Sequence, residues 1–258
     1  MKIVVLVKDV PDTYGDRKLS LETGLADRGA SERVLDEIGE RALEVALSYA
    51  DANADTEVVV VSMAAEASAA TIRKGLAMGA GSALQVVDDA LAGADLGVTA
   101  RVLAAAVRRV GFDLVIAGNL STDGMAGVLP AMLAEHLGVP QATSLSAVEI
   151  SGSSVSGTRA SDAGNARVTA SLPAVVSITE ALPDARFPNF KGIMAAKKKP
   201  FESVSLADLG VEVDVSSAPQ TIVTAVSEKP PRGAGVKITD EGDAGEKLAA
   251  FLTENRLV

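Results

Sequence analysis

Two stretches of this chain combine residue types and spacing that could do chemistry or recognition. The first is Ala117-Gly118-Asn119-Leu120-Ser121-Thr122-Asp123-Gly124-Met125-Ala126-Gly127-Val128-Leu129. An apolar run ends there in small polar residues and gives way to a helical pattern. Glycines let backbone approach an anion closely, and the unpaired N–H groups of a helix start supply donors and positive potential. Gly118, Asn119, Ser121, Thr122, Asp123, Gly124, Gly127, Val128 and Leu129 are therefore candidates for a phosphate cradle. The same letters also suit a plain strand-to-helix loop with Ser121, Thr122 or Asp123 as helix cap. The spacing is neither a P-loop nor a GxGxxG fingerprint. A second group, Val7-Lys8-Asp9 with Asp36-Glu37-Ile38-Gly39-Glu40, could reach the same crevice. Asp36 and Glu37 are also what a helix N-terminus favours by itself.

The other stretch is Arg186-Phe187-Pro188-Asn189-Phe190-Lys191-Gly192-Ile193-Met194-Ala195-Ala196-Lys197-Lys198-Lys199-Pro200. It sets Phe190, Ile193 and Met194 between Pro188 and the run Lys197, Lys198, Lys199. Exposed apolar side chains with a charged collar make a docking anchor. A short helix with an apolar core side and solvated lysines would read the same way. His136, beside Met132 and Leu133 on a helical period, reads as structural, and Asp88-Asp89 has no histidine partner. No GxSxG elbow is present. No catalytic constellation emerges.

The elements that must position these residues follow from hydrophobic periodicity. Ile3–Val7, Val58–Val61, Ala83–Val87 and Phe112–Ala117 are apolar runs of the kind buried on both faces of a parallel sheet. Between them, residues 34–50, 67–78, 95–110 and 125–137 follow a helical period, with Gly79 and Gly138 as stops. Strand–helix alternation implies a parallel sheet with helices on both faces. Residues 143–172 read as antiparallel strands, Leu145–Ile150, Ser154–Arg159 and Arg167–Leu172, with a turn at Asp162-Ala163-Gly164-Asn165. Ala174–Ile178 could return to the main sheet. After Pro200 the chain reads as extended and Pro-rich, with Lys229-Pro230-Pro231 as a stiff connector and a short helix over 240–255. Such a tail has little core of its own and is expected to lie on another domain or chain.

Composition narrows the functions. The 258 residues lack cysteine, which excludes disulfides, thiolate metal sites, iron–sulfur clusters and a cysteine nucleophile, and a single histidine excludes multi-histidine metal sites. A net charge of −10 argues against a general nucleic-acid binder, despite the lysine run. The first residues read as a strand, too short for a membrane span and without a small-residue cleavage site. The expected location is the bacterial cytoplasm, or the mitochondrial matrix if the source is eukaryotic.

Several separated segments, in order, are similar to the β subunits of electron-transfer flavoproteins. They are the Val-Lys opening, Thr71–Ala80, Phe112–Val115, Leu172-Pro173-Ala174-Val175-Val176-Ser177, Arg186-Phe187-Pro188, Ile193-Met194, Ala196–Pro200 and Gly233–Lys237. The resemblance covers nearly the whole chain. It implies an open, mainly parallel Rossmann-like α/β sheet of the adenine-nucleotide-binding type, with an antiparallel hairpin extension and an extended C-terminal arm. The nucleotide-binding domain would span 1–200, with the hairpin insertion at about 143–172 and a recognition loop at 183–200. The arm, 201–258, would pack on a partner. The resemblance also implies a heterodimer whose α subunit holds most of an FAD site, while this chain holds a structural AMP. Carried over by position, the AMP contacts would be Leu6, Asp36, Glu37, Ile38, Gly39, Met63 and the loop Gly118–Leu129, with the phosphate near the amides of Gly127, Val128 and Leu129. Tyr14 or Ile38 would touch the flavin edge. Phe190 stands where the family's anchor is usually Leu. The hairpin keeps Asp162 but has Ala160 and Ala166 where Glu is common.

The function so implied is a carrier without substrate turnover of its own, passing electrons from acyl-CoA and related dehydrogenases to a membrane quinone oxidoreductase. Two alternatives stand beside it. One is an electron-bifurcating relative with a second FAD in place of AMP, although those relatives tend to differ over Asp123–Gly127. The other is a stand-alone nucleotide-binding signalling module, which would leave the lysine-flanked loop and the tail unexplained.

Overall fold

The computed structural model describes residues 1–212, 219–235 and 237–258. Val236, inside the Gly233–Lys237 match, lies outside them. Two compact units are present, Met1–Thr224 and Ala225–Val258.

The first unit is built on strands that are buried on both sides. In β1 (Lys2–Leu6), Ile3 and Val5 enter one core cluster, while Val4 and Leu6 enter the other. Alternation of a continuous apolar run between two layers is what a central parallel strand requires. β4 (Glu57–Met63) and β6 (Leu114–Gly118) flank it, and both run parallel to it. With β2 (Asp9–Pro11), β3 (Arg33–Leu35), β5 (Ser82–Val86), β7 (Gln141–Ile150), β8 (Ser154–Ser161), β9 (Gly164–Ser171), β10 (Ala174–Ile178) and β11 (Phe201–Val204), the strands form two sheets. Among the described residues, the main sheet has nine strands in the order β11-β5-β4-β1-β6-β10-β7-β8-β9, and β2 and β3 form a small antiparallel pair.

The helices divide between the faces. α1 (Glu37–Ala52) and α2 (Ala69–Met78) bury Ile38, Leu43, Leu47, Ile72 and Leu76 in one cluster. α3 (Leu96–Val110) and α4 (Leu129–Leu137) bury Val98, Val102, Leu103 and Leu133 in the other. The chain therefore leaves β1 by one face toward β4 and β5, then crosses to β6 by the opposite face. The sheet's order reverses between β1 and β6. In open α/β sheets such a switch point leaves a crevice at the carboxyl ends of the two strands, and ligands bind there. The crevice mouth here is Val7–Asp9 and the loop after Gly118.

The parallel α/β layers with helices on both faces and the β8–β9 hairpin match the expected fold. Three boundaries differ. α1 begins at Glu37, because residues 33–35 pair with β2. α4 begins at Leu129 rather than 125, because Met125 (φ 51°) and Gly127 (φ 71°) hold left-handed backbone and prolong the loop. β7 starts at Gln141 as a parallel partner of β10 before it turns antiparallel to β8, with Ser144 at φ 58° where the register shifts. Ala174–Ile178 does return to the main sheet, between β6 and β7. Phe201–Val204, expected only to be extended, forms the edge strand on β5.

The segment after β10 is fastened at several points to the α1 and α2 face. Arg41 donates to the Leu182 carbonyl and to Asp184. Arg186 pairs with Glu44 at 2.8 Å and with Asp51 at 2.9 Å. α5 (Phe190–Ala196) lies so close to α2 that a Cβ on Gly192 would stand 2.3 Å from the Ala77 carbonyl oxygen.

The second unit holds α6 (Ala244–Glu254), which has no buried residue. Leu248 and Phe251 on it are solvent-exposed.

Leu43 is fully buried under the sheet. Leu43→Ala should cost about 2–5 kcal/mol of stability through lost transfer energy and a residual cavity. Urea unfolding followed by circular dichroism should show a lower midpoint with an unchanged slope.

Candidate functional site

The crevice is assembled around one buried carboxylate. Asp36 caps α1: its Oδ1 accepts from the backbone N–H groups of Ile38 (3.1 Å) and Gly39 (3.3 Å). Its Oδ2 accepts from the Thr122 backbone N–H (2.7 Å) and the Thr122 hydroxyl (2.9 Å). Asp36 is 2% exposed and its acceptor capacity is engaged by those four donors. Its side chain therefore holds the β6 loop against the start of α1. Beneath it, Gly118 permits a close approach: a Cβ there would lie 2.9 Å from Ile38 Cγ2. Asn119 ties its own N–H to the Ile178 carbonyl at 2.8 Å.

A second carboxylate, Asp123, faces cations. Lys8 Nζ donates to Asp123 Oδ1 at 2.7 Å and to Ser121 Oγ at 3.2 Å, and Arg28 Nη2 meets Asp123 Oδ2 at 3.0 Å. Burial alone would push the Asp123 carboxyl up. The hydrogen bonds from Lys8 and Ser121, with the charges of Lys8 and Arg28, hold it far below the usual carboxylate range. Arg17 adds a contact to the Thr122 carbonyl. Three cations, Lys8, Arg17 and Arg28, thus face two carboxylates, Asp36 and Asp123.

The remaining loop presents backbone donors. No side chain caps α4, whose cap position is Val128. Among the described residues, the N–H groups of Ala126, Gly127, Val128, Leu129 and Ala131 have no protein acceptor. Ser121, Thr122 and Asp123 are turned to Lys8, Asp36 and Arg28 instead, so the plain capped-loop reading fails. N–H groups without acceptors at a helix start, beside Lys8 and Arg28, are a donor set that an anion could use. The phosphate of a nucleotide fits this donor set.

The crevice brings together most of the positions named from sequence. Leu6 lies at the end of β1, and Asp36, Ile38 and Gly39 lie at the start of α1, with Gly118–Leu129 beside them. Met63 ends β4, the neighbour of β1, and Glu37 points to solvent. Ile38 is buried in the core, whereas Tyr14 is 99% exposed. Arg17 and Arg28 escaped sequence reasoning, because they stand in a long irregular segment, 12–32, with no motif around them. Lys8 was visible only as a neighbour of the crevice.

The second candidate is the fastened segment before β11. Phe190 is 79% exposed, Ile193 and Met194 are about half exposed, and Phe187, not singled out from sequence, is 90% exposed. Asn189 caps α5 by accepting from the Gly192 N–H at 2.8 Å. Lys197 and Lys198 are exposed. Lys199 differs, because its ammonium donates to the carbonyls of Leu76 (2.9 Å), Gly79 (3.1 Å) and Ala80 (2.6 Å). Burial pushes the Lys199 amine down. It closes the C-terminal end of α2, where a cation complements orphan carbonyls. Its ammonium is thus committed within this chain, a correction to its assignment as a docking charge. His136 is exposed on α4. Among the described residues no cluster of His, Cys, Asp and Glu could hold a metal ion, and no helix is long and apolar enough to cross a membrane.

A doubly wound, mainly parallel sheet with helices on both faces defines a Rossmann-like α/β class. Within it, the electron transfer flavoprotein domain model matches residues 23–209. The chain is 44% identical to the electron transfer flavoprotein subunit beta of Mycobacterium leprae, over 99% of both chains. It is 33% identical to the protein of the same name from Syntrophomonas wolfei, over 98% of this chain and 96% of that one. It is also 31% identical, over the whole of both chains, to the caffeyl-CoA reductase-Etf complex subunit CarD of Acetobacterium woodii. This chain belongs to the electron-transfer flavoprotein β-subunit family.

Because the folded Asp123 carboxyl is held below its unfolded value, its stabilisation is complete above about pH 4 and is lost as pH falls from there toward the folded value. Asp123→Asn should destabilise the protein by about 1–2 kcal/mol at pH 7, since solvent screens the half-exposed Lys8 and Arg28. In denaturant titrations across pH, the gap between wild type and variant should narrow below pH ~4.

Proposed function

We propose that this chain is the β subunit of a heterodimeric carrier. In this reading it holds AMP in the β1/β6 crevice, and its α subunit holds FAD. The complex takes electrons from acyl-CoA and related dehydrogenases and delivers them to a membrane quinone oxidoreductase. The observation that carries the nucleotide reading is the row of N–H groups from Ala126 to Leu129 without protein acceptors, beside Lys8 and Arg28. A phosphate would accept from those amides. Leu6, Met63 and Gly39 would line the rest of the nucleotide. The bound flavin would supply the redox chemistry. This chain's residues bind, orient and dock.

The docking role is assigned to the 183–200 segment. Its fastenings to α1 and α2 present Phe187, Phe190, Ile193 and Met194 without loss of order on binding. A small apolar contact of this kind keeps an electron-transfer encounter weak and quickly reversible. Lys197 and Lys198 supply the charged collar. AMP, binding only the folded state, would stabilise it by mass action.

The second reading, a bifurcating subunit with FAD in the crevice, is favoured by the full-length likeness to the subunit of the Acetobacterium woodii complex. The two separate by ligand count. The heterodimer, co-purified with its larger subunit and acid-extracted, should release one FAD and one AMP per complex. Two FAD and no AMP would establish the second reading, and nucleotide on a chain that purifies alone would establish a stand-alone module. Phe190→Ala should leave ligand content unchanged and slow stopped-flow reduction by the dehydrogenase roughly tenfold, the effect of one apolar hot spot. Unchanged kinetics would exclude Phe190 as the anchor.

A further inference from the structure

The irregular segment 12–32 does more than connect β2 to β3. It crosses the mouth of the crevice and is fixed there by polar contacts at two points along its length. Arg17 donates to the Thr122 carbonyl, and Arg28 reaches Asp123 at 3.0 Å while its other nitrogen donates to the Asp9 carbonyl at 3.0 Å. Its far side rests on a different part of the unit. Gly24 (φ 69°) lies against Val223 so closely that a Cβ on it would stand 2.4 Å from Val223 Cγ1, and Leu25 lies 3.7 Å from where a Cβ on Gly93 would be. The backbone N–H groups of Gln220 and Thr221 are held in turn by Asp95, the cap of α3, at 2.7 and 3.1 Å. Contacts therefore run without a break from the anion-binding loop, through the 12–32 strap, to the end of the first unit. Within itself the strap is paired, Leu19 bridging to Ala26 and the Asp27 N–H donating to the Lys18 carbonyl, while Tyr14, Leu19 and Leu21 on it are exposed.

Asp123 is the joint in this chain of contacts. One carboxylate oxygen takes Lys8 from the end of β1, and the other takes Arg28 from the strap. The pair leaves one positive charge in excess beside amides that lack acceptors. An anion on those amides fixes residues 124–129, and with them the backbone that orients Asp123. Order in the loop then favours order in the strap, and the reverse holds by linkage.

We infer that nucleotide binding at the 118–129 loop and closure of the 12–32 strap are one coupled equilibrium, with Asp123 and Arg28 as positioning residues that join them. The inference rests on the nucleotide reading proposed above. Its consequence is that nucleotide occupancy sets the order of the surface carrying Tyr14 and of the 219–224 segment from which the last unit departs.

Hydrogen exchange with peptide resolution tests this on the co-purified heterodimer, stripped of AMP by dialysis and then reloaded with AMP. In the wild type, AMP should slow exchange in 118–129 and in 12–32 together. Arg28→Gln should weaken AMP retention roughly tenfold, as expected for one charge-assisted hydrogen bond. With Arg17→Gln added, which removes the other contact to the loop, AMP should still protect 118–129 but not 12–32. Arg28→Lys, which keeps a cation facing Asp123, should restore protection of the strap. Protection confined to 118–129 in the wild type would overturn the coupling while leaving the nucleotide site intact. Absence of protection in both segments would overturn the nucleotide site and the coupling with it. Equal strap protection in wild type and in the Arg17→Gln/Arg28→Gln double variant would also overturn the inference, because the strap would then respond without either joint.

Discussion

The bond set of Asp36 is the constraint on which the site depends. A carboxylate buried to 2% exposure is costly unless its oxygens are satisfied, and here four donors satisfy them. Two come from the first turn of α1 and two from Thr122, on a loop 86 residues away in sequence. The same group that starts a helix therefore fixes the far wall of the crevice. With Thr122 pinned, Asp123 is aimed at Lys8 and Arg28, the Gly124 and Met125 N–H groups bond back within the loop, and those of residues 126–129 are left without protein acceptors. A side-chain cap on α4 would have stabilised the helix but taken up the N–H donors that the proposed nucleotide needs.

The sheet supplies what that bond set cannot. β1 and β6 are buried on both faces, so their ends are held rigidly relative to each other. The crossing from the α1–α2 face to the α3–α4 face opens the gap between them. Loops are mobile by default, and a binding geometry built on one needs a rigid base. The sheet switch point is that base.

The segment before β11 follows the same economy at a second place. Arg186 on Glu44 and Asp51, Lys199 on the carbonyls closing α2, and the backbone contact at Gly192 together hold a short helix whose outward side chains are apolar. The Glu44 hydrogen bonds raise the Arg186 pKa further. Burial would push the Glu44 carboxyl up, but Arg186 holds it below the usual range. Charges spent inside the chain leave Phe187 and Phe190 facing solvent, which suits contact with another protein better than burial in this one.

The apolar runs of β1, β4, β5 and β6 and the periodicity of α1 to α4 were legible in the amino-acid order, because burial on both faces or on one stripe leaves a local signature. The Gly/Ser/Thr/Asp loop after β6 was legible as a potential anion cradle for the same reason. Local order could not decide whether Ser121, Thr122 and Asp123 would cap α4 or turn elsewhere, since either use needs the same letters. Only the fold, by bringing Asp36, Lys8 and Arg28 to that loop, settled it. Likewise the three lysines at 197–199 are one motif in sequence, yet the end of α2 takes Lys199 and leaves the other two. Short-range patterns fix the elements. Which polar side chains are spent on structure and which remain for ligands depends on neighbours distant in sequence, and only tertiary packing sets those.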